Sequence, residues 1–425
     1  MREDFLHYLW RYKRFDFLNL QTTDNQQVEI VEFGEHNQNA GPDFLNARLR
    51  IGETLWAGNV EMHLNASEWL AHKHDEDAAY DNVILHVVMD EDKIIFDKNK
   101  QRLACLVLKP YITENLLGTY QKLLHNAHWI PCQHHFFTVS DLVKSAWQSR
   151  LLVERLEEKI AVFETSFFQN KQHWEETFYQ ALAKNFGVKI NDLPFELLAK
   201  SLPLLTLAKH KDSLFQIEAL LFGQAGMLQE EFEDDYPKRL QKEYFYLQKK
   251  LQLEPIAASM WKFSKLRPGN FPTIRIAQFA TLIHQSVHLF SKILEAKNTK
   301  SIQDLFEIKL SDYWNEHYIF DKASKKISKS LGKDTVNLLI INTIAPFLFL
   351  YGKIKNDEVY KDSAIAFLEE LAPEKNTIIE GWQDLGLKPS SAAETQSLLQ
   401  LKNKYCNAQK CTQCAIGIAI MKDAK

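Results

Sequence analysis

GPDFLNARLRIGETLWAGNVEMHL, residues 41–64, is the stretch around which we expect the rest of the chain to be organised. It contains a Pro-Asp pair ending at Asp43, and 18 residues later it contains Glu61, followed two residues on by His63. Apolar and polar residues alternate along both halves, which is typical of β-strands. Because successive side chains of a strand point to opposite faces, Glu61 and His63 are expected on the same face. Neighbouring strands would then hold the carboxylates of Asp43 and Glu61 side by side, as a divalent-metal site requires.

Segments on both sides of this stretch complete a mixed α/β pattern. The runs VEIVEF and NVILHVVM predict further strands, and Ser67 is a suitable N-cap for a short helix between them. The predicted order is a helix at 3–10, strands at 28–33, 43–51 and 54–64, a helix at 67–74, and strands at 82–89 and 102–108. This order fits a mixed sheet with helices packed against its faces.

The order of these elements, the Pro-Asp at the start of the second predicted strand and the Glu-x-His on the third resemble the PD-(D/E)XK nuclease superfamily, which has the restriction-endonuclease-like fold. The resemblance implies that Asp43 and Glu61 bind Mg²⁺ or Mn²⁺, and that Glu3 on the first helix adds a further acid to the metal site. His63 stands where the superfamily has its lysine, and it would orient the attacking water or bind the metal. A neutral imidazole can do either, but it lacks the permanent charge of an ammonium group.

Histidines give a second signal in the same region. His63, His72, His74 and His86 lie close in sequence, and Asp75 and Asp77 accompany them. His86 interrupts the apolar run VILHVV, where a buried imidazole needs a partner. It is expected either to be a core histidine bonded to backbone or to a tyrosine such as Tyr80, or to belong to the metal site. If the histidines dominate that site, Zn²⁺ or Mn²⁺ is favoured over Mg²⁺.

Length and composition predict a soluble protein of two or three domains. The 425 residues are 45% hydrophobic, and the formal net charge of -4 excludes a strongly basic nucleic-acid coat. Residues 1–130 hold 13 Lys and Arg against 20 Asp and Glu, so the later part would have to grip a nucleic acid. The sequence shows neither a secretory signal nor a run of 18 apolar residues, which predicts no membrane association and a cytoplasmic location.

From Ser140 onwards the periodicity is helical. The predicted fold class is therefore α+β, with an N-terminal domain at 1–120, a His-rich hinge at 121–139 and a large α-helical domain at 140–425 that ends in a cysteine cluster. Helices are predicted at 141–169, 174–186, 194–208, 213–223, 236–251, 273–297, 302–319, 335–350 and 357–371.

The loop before the helix predicted at 273–297 is a candidate phosphate site. Arg267 and Arg275 flank it, and Pro272 suits the first helical turn, where free N–H groups attract phosphate. The alternative is that the two arginines satisfy loop carbonyls or pair with Glu218. On the first interpretation, Arg267 and Arg275 contact a nucleic acid.

Three cysteines, Cys406, Cys411 and Cys414, fall within nine residues near the end of the sequence. Thiolates at such spacing can converge on Zn²⁺ or an iron–sulfur cluster. Cys132 is the first candidate for a fourth ligand, with Cys105, His134 and His135 as alternatives. Some helicase-associated nucleases of the PD-(D/E)XK superfamily resemble this arrangement, with one early and three late cysteines around a cluster. The alternative is that the cysteines are buried free thiols.

Nearly the full chain also resembles an uncharacterised bacterial domain-of-unknown-function family. The residues that carry this resemblance are NAGPDF from Asn39, WAGNVEMH from Trp56, YDNVILHVV from Tyr80, RPGNFP from Arg267 and the closing YCNAQKCTQCAIG from Tyr405. The family itself implies no activity.

Our hypothesis from the sequence is a metal-dependent phosphodiesterase, most simply a DNase rather than an RNase. Carboxylate-held Mg²⁺ or Mn²⁺ makes water nucleophilic and clamps a phosphate. Two alternatives stay open: a catalytically inactive nucleic-acid-binding or scaffold protein, and a zinc hydrolase of a small substrate.

Overall fold

The computed structural model describes residues 1–37, 39–126, 128–286 and 288–423, and it divides into two compact units. The first unit comprises Met1–Ser149 together with Gln400–Lys425, and the second comprises Arg150–Leu399. A sheet and its helices make up the first unit, whereas the second is mainly helical. The chain is therefore of mixed α+β class, as the sequence predicts.

A mixed sheet organises the first unit. Its order is β1-β2-β4-β5-β6-β7, with β3 paired to β4. Pairs from β1 to β5 are antiparallel, whereas β5 with β6 and β6 with β7 are parallel. Within the described residues, the strands of this sheet are β1 (Leu20–Gln21), β2 (Gln27–Glu32), β3 (Glu35–His36), β4 (Phe44–Ile51), β5 (Thr54–Asn65), β6 (Val83–Asp90) and β7 (Cys105–Val107).

Burial along the strands explains why they form where they do. In β4, Phe44, Ala47, Leu49 and Ile51 are buried, while the arginines between the last three are exposed. In β6, every residue but the last is buried, as expected for a strand that has parallel neighbours on both sides. The alternation of β4 and the continuous apolar run of β6 are both visible in the sequence.

The helices of the described residues lie in both units. They are α1 (Glu3–Arg11), α2 (Glu68–Ala71), α3 (Glu114–Leu124), α4 (Asp141–Gln169), α5 (Trp174–Phe186), α6 (Asp192–Ser201), α7 (Leu204–Ala208), α8 (Leu214–Gln224), α9 (Asp235–Leu251), α10 (Pro272–Gln285), α11 (Leu289–Leu294), α12 (Thr299–Leu305), α13 (Asp312–Glu316), α14 (Lys333–Leu339), α15 (Ala345–Lys355), α16 (Glu358–Glu370), α17 (Thr377–Asp384), α18 (Ala392–Gln400) and α19 (Ala415–Asp423).

Helix α1 has one apolar face and one polar face. Its residues Phe5, Leu6, Leu9 and Trp10 are buried, and the Phe5 ring stacks on Tyr120 of α3 with centroids 3.9 Å apart. The helix also contacts β5. The polar residues of α1 are thereby brought to the part of the sheet that carries Glu61.

The second unit is built around a large apolar core formed by its own helices. Gly223 of α8 lies against the ring of Tyr244 in α9 so closely that an added Cβ would come within 2.0 Å of it. One continuous stretch, Lys333–Lys355, is long and apolar enough to cross a membrane, but most of it is buried in the structure. That burial is what the core helix of a soluble protein shows.

The division into units differs from the one predicted from the sequence. The segment predicted as a hinge belongs to the first unit, and α3 extends into it as far as Leu124. The C-terminal segment also belongs to the first unit, rather than to a helical domain at 140–425. Hydrophobic periodicity reports which face of a segment is buried, but not which unit buries it, so this return of the chain is invisible to it.

Two predicted helices are also corrected. The helix expected at 273–297 ends at Gln285, and Val287 lies outside the described residues. The segment expected as a helix at 302–319 contains the end of α12, all of α13 and the strand β8 (His317–Ile319), which pairs with β9 (Lys322–Ala323). At the turn, Asp321 has a φ of 58°, and its carboxylate accepts the backbone N–H groups of Glu233 and Asp234. These long-range bonds favour the hairpin over the local helical pattern.

Candidate metal centre

Asp43 and Glu61 are held together where β4 begins beside β5. The Phe44–Val60 pair of the antiparallel ladder brings Asp43 opposite Glu61. The backbone N–H of Asp43 donates to Glu61 Oε2 at 3.1 Å, and the backbone N–H of Met62 donates to Asp43 Oδ2 at 2.9 Å. Each carboxylate is thus oriented by a backbone donor of the other strand.

The loop before β4 fixes the position of Asp43. Gly41 has a φ of +104°, a conformation that side-chain-bearing residues rarely adopt. Asn37 donates its side-chain amide to the carbonyl oxygens of Ala40 and Pro42, and its backbone N–H donates to the carbonyl oxygen of Asp43. The GPD sequence is therefore needed for a tight turn that delivers Asp43 to the end of the strand.

Helix α1 contributes Glu3 and His7, which are four residues apart and therefore on one face of the helix. His7 Nε2 lies 3.2 Å from Asp43 Oδ2, and one donor atom each of Glu3, His7 and Asp43 lie within 4.8 Å of one another. Burial by itself would lower the pKa of His7, but the hydrogen bond and charge of Asp43 raise it above its ordinary value. We call Glu3, His7, Asp43 and Glu61 the carboxylate half of the site.

Four histidines form the other half of the site. Donor atoms of His63, His72 and His74 lie within 4.8 Å of one another. His63 Nδ1 is 2.8 Å from His86 Nε2, and His63 Nε2 is 3.1 Å from His72 Nδ1. Burial, followed by the charges that His86 and His74 would carry, lowers the pKa of His63 to about 2. His63 is therefore a neutral imidazole at any physiological pH, able to orient a water molecule or bind a metal.

Glu61 connects the two halves. Its Oε1 lies 3.4 Å from His74 Nε2 and 3.7 Å from His63 Nε2, while its Oε2 accepts the Asp43 N–H. Burial raises the pKa of Glu61 to about 9, with the charge of Asp43 as the next cause. In the metal-free protein the carboxyl therefore holds a proton near neutral pH, and a bound cation would take the place of that proton.

His86 is placed by the parallel ladder, which pairs it with Glu61. The side chain is fully buried, and burial lowers its pKa to about 4. Its hydrogen-bond partner is His63, not Tyr80, whose ring instead stacks on His74 with centroids 3.7 Å apart. The alternative of a core histidine bonded to Tyr80 is therefore wrong. Among the described residues, His86 Nδ1 has no hydrogen-bond partner, which leaves one imidazole nitrogen of the cluster available.

The structure brings together Asp43, Glu61, His63, His86 and Glu3, all of which are predicted from the sequence. It adds His7, which the sequence analysis missed. The spacing of Glu3 and His7 on one helix face is the signal that would have found it.

The two predicted phosphate contacts differ from each other. Arg267 is exposed, but Arg275 is buried, with 5% of its surface exposed. The guanidinium of Arg275 donates to the side chains of Asn270, Gln278 and Thr335 rather than pairing with Glu218. Its burial contradicts a direct phosphate contact, and a structural role within the loop replaces that prediction.

Cys132, Cys406, Cys411 and Cys414 all belong to the first unit, as free thiols. Cys105 is also buried there, at the start of β7.

Comparison with known families then places the chain. A family model described as "Protein of unknown function (DUF2851)" matches residues 3–377. The chain belongs to the DUF2851 family. The match includes both halves of the candidate site and stops before the three late cysteines of this DUF2851 chain. No curated protein and no solved structure gave a match.

Proposed function

We propose that this DUF2851 chain is a metal-dependent phosphodiesterase that acts on nucleic acid, with Asp43 and Glu61 as its central metal ligands. The observation that carries the proposal is the reciprocal pairing of these two carboxylates beside Glu3 and His7. Carboxylates converging in this way attract a divalent cation because no two of them can stay ionised together at low cost.

The order and pairing of the elements support the proposal. Helix α1 is followed by an antiparallel run of strands, β2, β4 and β5, and then by α2 and the parallel strand β6. This order resembles that of the PD-(D/E)XK superfamily, with Asp43 before the middle strand and Glu61 within the next. On this proposal, the first unit has the restriction-endonuclease-like fold.

Three of the proposed donors, from Glu3, His7 and Asp43, lie close enough together for one divalent metal. Asp43, Glu61 and Glu3 would supply carboxylate oxygens, and His7 and His86 would supply imidazole nitrogens. A bound divalent ion would polarise the scissile phosphate and lower the pKa of a coordinated water. His63 is held by His86 and His72 in one orientation, and as a neutral imidazole it would orient the attacking water or bind the metal.

The histidines bear on which metal the site prefers. Oxygen-only sites suit Mg²⁺, whereas imidazole ligands favour Mn²⁺ and Zn²⁺. A site in which Glu61 lies between Asp43 and two histidines, His63 and His74, combines both ligand types. We therefore expect activity with Mn²⁺ to exceed activity with Mg²⁺.

The experiment is cleavage of single- and double-stranded DNA and RNA with Mg²⁺ and with Mn²⁺. The purified wild type is compared with Asp43→Asn, Glu61→Gln and His63→Lys. Glu29→Gln is the matched control, because Glu29 is an exposed carboxylate on β2 of the same sheet and pairs with Arg50.

We expect cleavage to be lost in the first two variants and kept in the control, and DNA to be cut better than RNA. A His63→Lys variant of equal or greater activity would show that the imidazole occupies the place of a catalytic lysine. If the folded wild type and His63→Lys both leave every nucleic acid intact, the phosphodiesterase proposal is wrong. An inactive nucleic-acid-binding protein would then be indicated by binding without cleavage.

The four histidines favour one second candidate, a zinc hydrolase of a small substrate. Its site would be centred on His63, His72 and His74. Hydrolysis of small esters with Zn²⁺, lost in His72→Ala and retained in Asp43→Asn, would establish it over the nuclease. The reverse pattern would exclude it.

A further inference from the structure

We propose that Cys132, Cys406, Cys411 and Cys414 form a second metal centre, a four-thiolate site that holds an iron–sulfur cluster or zinc and fastens the C-terminal segment to the rest of the first unit. This inference is independent of the phosphodiesterase proposal, because none of the four residues belongs to the carboxylate half or to the histidine group.

The C-terminal segment returns to the chain region around Cys132 through specific contacts. Gln409 donates its side-chain amide to the carbonyl oxygen of Leu124 at 2.8 Å. Lys402 donates to the carbonyl oxygen of Trp129 at 2.5 Å, and its ammonium group lies 4.6 Å from the centre of that ring. The two donors lie on either side of Cys406 in the sequence, and the two acceptors lie within eight residues of Cys132.

The three late cysteines lie on a compact turn. Cys406 ends a π-helical segment, Leu401–Cys406, and Cys411 begins a single 3₁₀ turn that is followed by Cys414. An added Cβ on Gly417 would come within 2.3 Å of the Cys411 carbonyl oxygen, so helix α19 passes directly over this turn. Only glycine permits that approach, which holds the start of α19 against the backbone of Cys411.

Three of the four thiols are buried, and the fourth is half-buried. Cys132, Cys411 and Cys414 each have less than a tenth of their surface exposed, and Cys406 is intermediate. Sulfur held out of water in this way is a suitable ligand for a thiophilic cation, which takes the place of the thiol proton.

The surroundings of Cys414 resemble those of a metal-bound thiolate. Its sulfur accepts hydrogen bonds from the backbone N–H groups of Ile416 and Gly417, at the start of α19. Such N–H donors around a sulfur tune thiolate clusters and fix the orientation of a ligand.

Spacing distinguishes the two kinds of occupant. A tetrahedral zinc with bonds of about 2.3 Å brings its sulfurs to about 3.8 Å from one another. In the part of the chain that the structure describes, the sets of three or more donors that all lie within 4.8 Å contain no cysteine. Zinc would therefore require the four side chains to close in, whereas a cluster, with irons between its thiolates, suits a wider ring.

The site has a structural consequence for α1. Thr412, between Cys411 and Cys414, donates to the Asp4 carboxylate at 2.7 Å, and Arg2 donates to the carbonyl oxygen of Ala408 at 2.9 Å. Arg2 and Asp4 are the sequence neighbours of Glu3. The cysteine segment thus holds the start of the helix that carries Glu3 and His7.

The test begins with full-length protein purified without oxygen, on which iron, zinc and acid-labile sulfide are measured per chain and the visible spectrum is recorded. Iron with matching sulfide and a brown colour identifies the cluster, and one zinc per colourless chain identifies zinc. Either result supports the centre. The same measurement on the double variant Asp43→Asn/His63→Ala excludes metal bound at the candidate site of Asp43 and His63.

Single Ala variants of Cys132, Cys406, Cys411 and Cys414 should each lose at least half of this metal. Cys105→Ala is the matched control, because Cys105 is a buried cysteine of the same unit outside the four, and it should keep the full amount. A folded wild type that holds less than a tenth of a metal per chain, before and after anaerobic reconstitution with Fe²⁺ and sulfide or with Zn²⁺, overturns the proposal. Equal loss in Cys105→Ala would also overturn it.

Discussion

Binding of a divalent metal to the candidate site should release a proton from Glu61. Burial and the charge of Asp43 raise the Glu61 pKa to about 9, so the carboxyl is protonated in the metal-free protein at pH 7. Replacing that proton by a metal two pH units below the pKa costs about 2.7 kcal/mol, or a factor of about 100 in affinity. Affinity for Mn²⁺ should therefore rise about tenfold per pH unit and level off above the Glu61 pKa.

His7 adds to the slope, because its pKa is raised by Asp43 and its proton must also leave if its Nε2 binds the metal. His63 adds nothing, since its pKa of about 2 leaves it neutral throughout. The Glu61→Gln variant has no proton to release at this position. It should bind Mn²⁺ with a slope that is smaller by one proton than that of the wild type.

Isothermal titration calorimetry with Mn²⁺, in buffers of different ionisation enthalpy at a series of pH values between about 6.5 and 8.5, counts the released protons directly. Glu29→Gln is the control and should reproduce the wild-type count. The reasoning fails if wild type and Glu61→Gln release the same number of protons. It also fails if the wild-type affinity is independent of pH.

Three further predictions concern the second unit. Burial raises the pKa of Glu218 to about 7, so the folded state holds its proton more tightly than the unfolded state. The free energy of unfolding should therefore be greatest below about pH 4.5 and should fall by on the order of 3 kcal/mol as the pH rises through 7. Urea denaturation should show this loss in the wild type and not in Glu218→Gln. Gly223→Ala should destabilise this unit by at least ~2 kcal/mol, measured by the same method, because its Cβ would overlap the buried Tyr244 ring. Arg275→Ala should lower stability by about 2–3 kcal/mol because it leaves three polar partners unpaired, whereas Arg267→Ala should leave the urea midpoint unchanged.

Local patterns predicted the elements well where one periodicity runs without interruption. The predicted helices at 141–169 and 174–186 coincide with α4 and α5, and the predicted strands at 43–51 and 54–64 differ from β4 and β5 by one residue at one end. The helices predicted at 273–297 and 302–319 are instead interrupted or partly replaced by a hairpin. There the deciding contacts, such as those of the Asp321 carboxylate, come from residues about 90 positions away in the chain.

The candidate site was predictable to the extent that it follows from strand geometry. Alternation along β5 places Glu61 and His63 on one face, and a ladder through β4 can bring Asp43 beside them. The contribution of α1 depends on how that helix packs on the sheet, and sequence spacing between distant elements carries no such information. His7 was missed for this reason, and Glu3 was found only through a family resemblance.

Order of binding follows from the charges around the site. The partners that shift the pKa of Glu61 or Glu3 in the described structure are carboxyl groups and histidines. Burial and Asp43, the first two causes for both residues, each raise these pKa values, so the metal-free site disfavours added negative charge. A phosphodiester would therefore meet repulsion there until a divalent cation is bound. The metal should therefore bind before the substrate.

A non-cleavable phosphorothioate oligonucleotide tests this order, because its binding can be measured without turnover. We expect fluorescence anisotropy to show at least tenfold weaker binding to wild type in EDTA than in Mn²⁺, and the same weak binding with or without Mn²⁺ in Asp43→Asn. Equal binding with and without metal in the wild type would show that the nucleic acid is held elsewhere on the chain. In that case the carboxylates would act only on a substrate that is already bound.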